Sequence, residues 1–187
     1  KESDFLLRQH GNFFGLVVAD HDSIANFLAH CEEPNHTKFN YVMKNNCKIF
    51  IWTDGACAGN PGPGGWGVFM KHNNFSKKLK GGELNTTNNR MELMAVIKAL
   101  ESIKLKSKIQ IYTDSQYVKN GMTTWLLKWK NNNWKTSSKK DVKNKDLWKK
   151  LENLANNYEI SWNWVKGHSG NKENEIADSL ARSAIPN

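Results

Sequence analysis

From Lys48 onward the apolar positions fall into two alternating rhythms. Lys48–Asp54 reads as a strand, and a turn rich in Gly and Pro follows it, Gly59-Asn60-Pro61-Gly62-Pro63-Gly64-Gly65. Trp66–Lys71 and Phe75–Glu83 read as two further strands joined around Asn73-Asn74, an antiparallel meander. Residues 88–103 switch to helical spacing, with Leu93, Val96, Ile97, Leu100 and Ile103 at i, i+3, i+4 and i+7. A strand at Ile109–Asp114, short helices near Gln116–Gly121 and Thr124–Trp129, and a helix over Asn144–Asn157 come next. Glu159–Val165 is a fifth strand, and the loop Gly167-His168-Ser169-Gly170 leads into a last helix, Glu173–Ala184. Three antiparallel strands followed by helix–strand–helices–strand–helix predict one mixed sheet with helices packed on it.

Residues 1–47 behave differently and are read as an N-terminal extension, with 48–187 as the domain that holds the candidate chemistry. Phe13-Phe14-Gly15-Leu16-Val17-Val18 is strand-like, and Asp22 or Ser23 is placed to cap an amphipathic helix through Ile24, Phe27, Leu28 and Cys31. No motif there carries chemistry. The extension holds four Lys/Arg against six Asp/Glu, which leaves 23 against 12 on the rest of a chain whose net charge is +9. A basic field of that kind favours a polyanion, nucleic acid first and an anionic membrane surface second. No apolar run approaches the roughly 18–20 residues that span a bilayer, and the N-terminal residues lack the basic-then-apolar order of a signal peptide. Cys31, Cys47 and Cys57 form no metal-type spacing and cannot all pair, so a reducing cytoplasm and no membrane association are expected.

Acidic residues carry the candidate chemistry. Trp52-Thr53-Asp54-Gly55 closes the first strand and Tyr112-Thr113-Asp114-Ser115 the fourth, which puts two carboxylates at the carboxyl edge of the sheet, where open α/β folds place ligands. Either Asp alone is also explained as a local cap. Glu92 shifts the balance: four residues before Val96 and eight before Leu100, it lies over the core-facing stripe, where a carboxylate is costly unless compensated. Asp178 lies beside Ala177 and three residues from Ala181 on the last helix, a position equally compatible with a solvated flank. Converging acids repel one another, and two divalent cations would neutralise them; hard oxygen ligands select Mg²⁺ or Mn²⁺ over Zn²⁺. Such a pair suits an in-line phosphoryl displacement. Between flexible glycines, His168 suits proton handling, since imidazole exchanges protons near neutral pH.

Four stretches then carry a resemblance. Asp54-Gly55-Ala56-Cys57-x-Gly59-Asn60-Pro61-Gly62-Pro63-Gly64-Gly65, Thr86-Thr87-Asn88-Asn89-Arg90-Met91-Glu92-Leu93, Thr113-Asp114-Ser115-Gln116-Tyr117-Val118, and Trp164-Val165-Lys166-Gly167-His168-Ser169-Gly170 with Asp178 eight residues on resemble type 1 ribonuclease H, the bacterial ribonuclease HI kind, over about residues 48–185. The resemblance implies a ribonuclease H-like fold, a five-stranded mixed sheet of three antiparallel strands plus two parallel ones, flanked by helices. It implies an endonuclease that hydrolyses the RNA strand of RNA–DNA hybrids with two Mg²⁺ ions, Mn²⁺ being a substitute, and leaves 5′-phosphate and 3′-hydroxyl ends. Asp54, Glu92, Asp114 and Asp178 match the acids that hold the metals, and His168 matches a His on a mobile loop.

The same resemblance assigns Cys57, Asn60, Asn88 and Gln116 to the minor groove of the hybrid, and Thr87 and Asn144 to a pocket for a DNA-strand phosphate. Asn85 departs from the pattern, standing where relatives often carry Arg. Residues 125–150 carry nine lysines against Asp141 and Asp146, interleaved with Trp125, Trp129, Trp134 and Trp148. Trp125, Leu126 and Trp129 are expected partly in the core, and Lys128, Lys130, Lys135, Lys139, Lys140 and Lys143 on an exposed ridge that resembles a basic handle, with Trp125, Lys130, Trp134 and Lys135 touching the hybrid. The expected partner is a hybrid duplex and the expected state a monomer. Competing readings are a transposase or integrase core acting on DNA and a hybrid-binding module without catalysis; complete acids and His168 argue against the second.

Overall fold

The computed structural model describes residues 48–104 and 107–186; the strand and helix expected within 1–47 lie outside them. Strand β1 (Lys48–Cys57) is central. It pairs antiparallel with β2 (Gly62–His72), which pairs antiparallel with β3 (Phe75–Thr86). On its other side β1 pairs parallel with β4 (Lys108–Thr113), and β4 parallel with β5 (Glu159–Trp164). The resulting order, β3-β2-β1-β4-β5, is the five-stranded mixed sheet expected from the pattern.

Helix α1 (Asn88–Glu101) covers one face. Its predicted stripe is buried throughout: Leu93, Val96 and Ile97 are inaccessible, and Leu100 and Ile103 nearly so. Each such side chain contributes roughly 1.5–3 kcal/mol on removal from water. Met91, Ala95 and Ala99 are buried as well, and α4 (Lys145–Ala155) packs on α1 with Leu147, Trp148 and Leu151 in the same core. Helix α5 (Lys172–Ser183) covers the opposite face, where Trp52 and Phe69 meet Ala177.

Two expectations need correction. Strand β1 does not end at Asp54 but runs to Cys57, so Asp54 lies inside the strand, opposite Gly67. Likewise Gly62–Gly65, read as turn, belong to β2, with Gly65 opposite Ala56. These glycines serve close packing rather than chain reversal: a Cβ on Gly65 would stand 2.1 Å from the Ala181 carbonyl oxygen of α5.

Between β4 and α4 the chain forms an arm. Helix α2 (Gln116–Asn120), a π-helical turn (Gly121–Trp125) and α3 (Leu126–Asn131) follow without a break, where two separate helices were expected. The widened turn sits where Gly121 admits the edge of the Trp148 ring; a Cβ there would lie 2.0 Å from Cη2.

Candidate active site

Three elements bring three carboxylates together. Asp54 comes from β1, Glu92 from the second turn of α1, and Asp114 from the residue after β4. One oxygen from each lies within 4.8 Å of the others. Gly55 makes this possible: α1 crosses β1 so tightly that a Cβ on Gly55 would lie 2.3 Å from the Glu92 amide nitrogen. Any side chain at 55 would push the helix, and Glu92 with it, off the strand. The Gly55 amide also donates to Asp54 Oδ1 at 2.7 Å. Asp114 is fixed from the neighbouring strand, where Trp164 Nε1 donates to its backbone oxygen at 3.0 Å.

Their electrostatics are strained. Burial pushes Asp54 up to about 7, with the charges of Asp114 and Asp178 adding to the effect. Glu92 is driven well above the usual carboxylate range by burial first, then by Asp54 and Asp114. Burial also raises Asp114, while a hydrogen bond from Asn174 opposes it. Glu92 Oε2 is buried and has no hydrogen-bond partner among the described residues. Such an atom normally finds a partner. A group of clustered carboxylates with one oxygen unmet, and no Cys or His among them, fits a hard divalent cation.

Asp178 lines the same open cleft, of about 720 Å³, but stands apart from the three-acid group. Its Oδ1 accepts from Arg182 Nε at 2.7 Å. His168 also lines the cleft, with a left-handed backbone (φ 50°) two residues before Gly170, and its Nε2 lies 3.5 Å from Arg182 Nη2.

The other sequence-predicted residues divide into two sets. Cys57, Asn88 and Gln116 line the cleft, and Asn60 joins its rim, its Oδ1 accepting from the Asn88 amide at 3.3 Å. The Cys57 thiol donates toward the Gly62 and Thr86 oxygens at 3.5 and 3.7 Å. Thr87 caps α1 in extended conformation with its hydroxyl free of the cap bond. Asn144 precedes α4 in the left-handed region and accepts from Arg90 Nη1 at 3.5 Å. Trp125, Lys130, Trp134 and Lys135 are on the arm, outside the cleft. Lys128, Lys135, Lys139, Lys140 and Lys143 are exposed there, as the ridge required. Lys130 is exposed too, but it is ion-paired with the nearly buried Glu152 and is not a free cation. Trp134 sits 5.5 Å beneath Lys149 Nζ and packs against the core.

Several residues escaped the sequence reading. Asn174 and Arg182 lie four before and four after Asp178, one turning to Asp114 and the other to Asp178. Arg90 grips Asp146 through two hydrogen bonds of 3.2 and 3.0 Å and so supports Asn144. Tyr117 lines the cleft while its hydroxyl accepts from Trp148 Nε1 at 2.9 Å and Asn144 Nδ2 at 3.3 Å, tying cleft to arm. For Asn174 and Arg182 the i, i+4 spacing around Asp178 was the only signal; Arg90 and Tyr117 lay inside the stretches that carry the family resemblance, with no role read for either.

The RNase H family model matches residues 46–186 of the chain. The ribonuclease H of Francisella tularensis subsp. novicida is 55% identical over 144 residues, covering 77% of this chain and 95% of that relative; the ribonuclease H of Francisella philomiragia is 55% identical over 145 residues, covering 78% and 94%. Among solved structures, LC9-RNase H1, a type 1 RNase H with the type 2 active-site motif, superposes with a TM-score of 0.69 at 32% identity, covering 75% of this chain and 72% of that one. A mixed sheet with buried acids gathered on its central strand and the helix across it is thus joined to a family match over three quarters of the sequence. The chain belongs to the RNase H family and is an RNase H enzyme of the type 1 pattern. Among the described residues no helix is long and apolar enough to cross a membrane.

Proposed function

We propose that this enzyme hydrolyses the RNA strand of an RNA–DNA hybrid with two Mg²⁺ ions held by Asp54, Glu92, Asp114 and Asp178, leaving 5′-phosphate and 3′-hydroxyl ends. The observation that carries the reading is the group of three carboxylates, two buried and Asp114 half-buried, with the unmet Glu92 oxygen, in a chain of the RNase H family. Mn²⁺, another hard cation, is a substitute. Bound there, the ions would neutralise the acids, lower the pKa of an attacking water and stabilise the leaving oxygen.

The protein's own residues do the rest. Asp54 and Glu92 are held rigidly by β1 and α1, so the site is organised before substrate arrives. His168, on a loop at the cleft mouth, gives or takes a proton as the product ends separate. Cys57, Asn60, Asn88 and Gln116 face the cleft where a shallow minor groove would lie, and can meet 2′-hydroxyls and base edges. Thr87 and Asn144 hold a DNA-strand phosphate. On the arm, Lys135 and its exposed neighbours draw in the backbone beside Trp125 and Trp134, while Lys130 contributes less because Glu152 already neutralises it. Reading backbone and groove shape, the enzyme shows little sequence preference. It acts as a monomer in the cytoplasm, whose reducing conditions suit the free Cys57 thiol at the cleft.

The test is cleavage of a 5′-labelled hybrid, with double-stranded RNA and double-stranded DNA alongside, in Mg²⁺ and in chelator. Only the hybrid should be cut, and only with metal. Asp54→Asn should abolish cutting and keep hybrid binding; substantial turnover in that variant defeats the assignment.

A further inference from the structure

Asp178 faces the cleft yet does not join the other acids. Its partner is Arg182, one turn further along α5, whose guanidinium binds Asp178 Oδ1 through Nε at 2.7 Å and reaches His168 Nε2 through Nη2 at 3.5 Å. A single cation thus touches both Asp178 and His168, the two candidate catalytic residues outside the three-acid group. It lines the cleft itself, and its positive charge lowers Asp54 against the stronger effect of burial. Arg182 is 62% exposed while Asp178 is 21% exposed, so the arginine is free to swing into solvent and the carboxylate is not. An i, i+4 pair on an exposed helix face is weak and easily given up.

We propose that Arg182 is a positioning residue that acts as a placeholder for the metal: it holds Asp178 and His168 while the site is empty and is displaced as divalent ions arrive. The inference rests on the metal-site reading above. Two consequences follow from competition for one carboxylate. The ion must displace a bound cation, so its apparent affinity is lower than the acids alone would confer. Asp178 and His168 are released together, since one guanidinium restrains both, so ion binding also frees the loop at the cleft mouth.

The experiment is a titration of the full-length protein with Mn²⁺, free ion being read by electron paramagnetic resonance, in the wild type, Arg182→Gln, Arg182→Lys and Asp54→Asn. Arg182→Gln, which removes the competing charge, should bind Mn²⁺ roughly threefold to tenfold more tightly than wild type. Arg182→Lys keeps the charge and should stay within about twofold of wild type. A merely structural arginine would leave the isotherm unmoved or weaken it in both variants. Unchanged or weaker binding in Arg182→Gln overturns the placeholder role, as does equal tightening in Arg182→Lys. No saturable binding in the wild type, or full binding in Asp54→Asn, overturns instead the metal-site reading on which the role depends.

Discussion

The acid cleft and the aromatic arm are built on opposite principles. In the cleft, three carboxylates are gathered, Asp54 and Glu92 buried and raised markedly by lost solvation, Asp114 half-buried, and one oxygen has no partner. In the arm, polar groups that penetrate are satisfied: the Trp125, Trp129, Trp148 and Tyr117 rings pack with centroids 5.2–6.0 Å apart, the Trp148 indole has its acceptor, and the lysines stay in water. Stability therefore accumulates in the arm and is surrendered in the cleft. Side chains of the first kind are irreplaceable because each depends on the others; those of the second act in small, separable increments.

The sharpest way to break this contrast is at Asp54. Asp54→Asn should cut hybrid cleavage by roughly 10³-fold or more and yet make the ion-free protein more stable. The sign follows from proton linkage. Asp54 is raised from an ordinary 3.8 to about 7, so between those values the folded protein holds a proton that the unfolded chain has released. Stability then falls as pH rises through that window. Asparagine carries no such charge. The variant's advantage should be near zero at pH 4 and reach about 1–3 kcal/mol at pH 8, measured by urea unfolding in chelator. A wild type that is the more stable at pH 8 would mean the carboxylates are compensated by something within the protein.

Gly55→Ala should fall on the other side of the comparison, losing stability and activity together. Its added methyl would meet the Glu92 backbone, and relief requires α1 to retreat. A cost of about 3 kcal/mol is expected, with a drop in turnover of about 10²-fold from displacement of Glu92. Unfolding and single-turnover cleavage of the same preparation decide it. Retained activity at reduced stability would show that the helix moves without carrying Glu92 away.

The arm should respond by smaller steps. Lys139 and Lys140 are exposed and free of any acidic partner among the described residues. Changing both to Gln should raise KM several-fold, leave kcat alone, and lower the slope of log K against log salt by about one for each phosphate that is no longer neutralised. Folding stability should shift by less than about 0.5 kcal/mol. A fall in kcat at saturating hybrid would make the arm part of the chemistry rather than of capture.

Legibility differed between the two regions for physical reasons. Glu92 was readable because a carboxylate on a helix's buried stripe violates the hydrophobic pattern, and Asp114 because strand β4 ends where its apolar run ends. Asp54 was found with its place misjudged: Gly62–Gly65 were read as reversing the chain, whereas they run on in β2, where α5 lies so close to Gly65 that no Cβ fits there. Tertiary contact therefore overrode local turn chemistry. In the arm the periodicity identified the aromatic residues, but the Lys130–Glu152 pair joins positions 22 apart and has no local signature. The partners of Asp178 were hidden for the opposite reason. Asn174 and Arg182 sit at the commonest spacing on any helix, where an ion pair carries almost no information.

The least disruptive change joins the two regions. Asn85 is exposed on β3, two residues before Thr87, at the place where the family resemblance implies an Arg. An added guanidinium there can bind a phosphate bidentately without desolvating anything else. Asn85→Arg should tighten hybrid binding by roughly twofold to fivefold at moderate salt and steepen the salt slope by about one. Turnover of bound substrate should not change, because Asn85 lies on β3, while the acids come from β1, α1, the end of β4 and α5. Fluorescence anisotropy of a labelled hybrid on Asp54→Asn and on the Asn85→Arg double variant isolates binding from cleavage. No gain in that comparison would place the phosphate grip on an existing lysine, and with it move the DNA strand away from the Thr87–Asn144 pocket toward the arm.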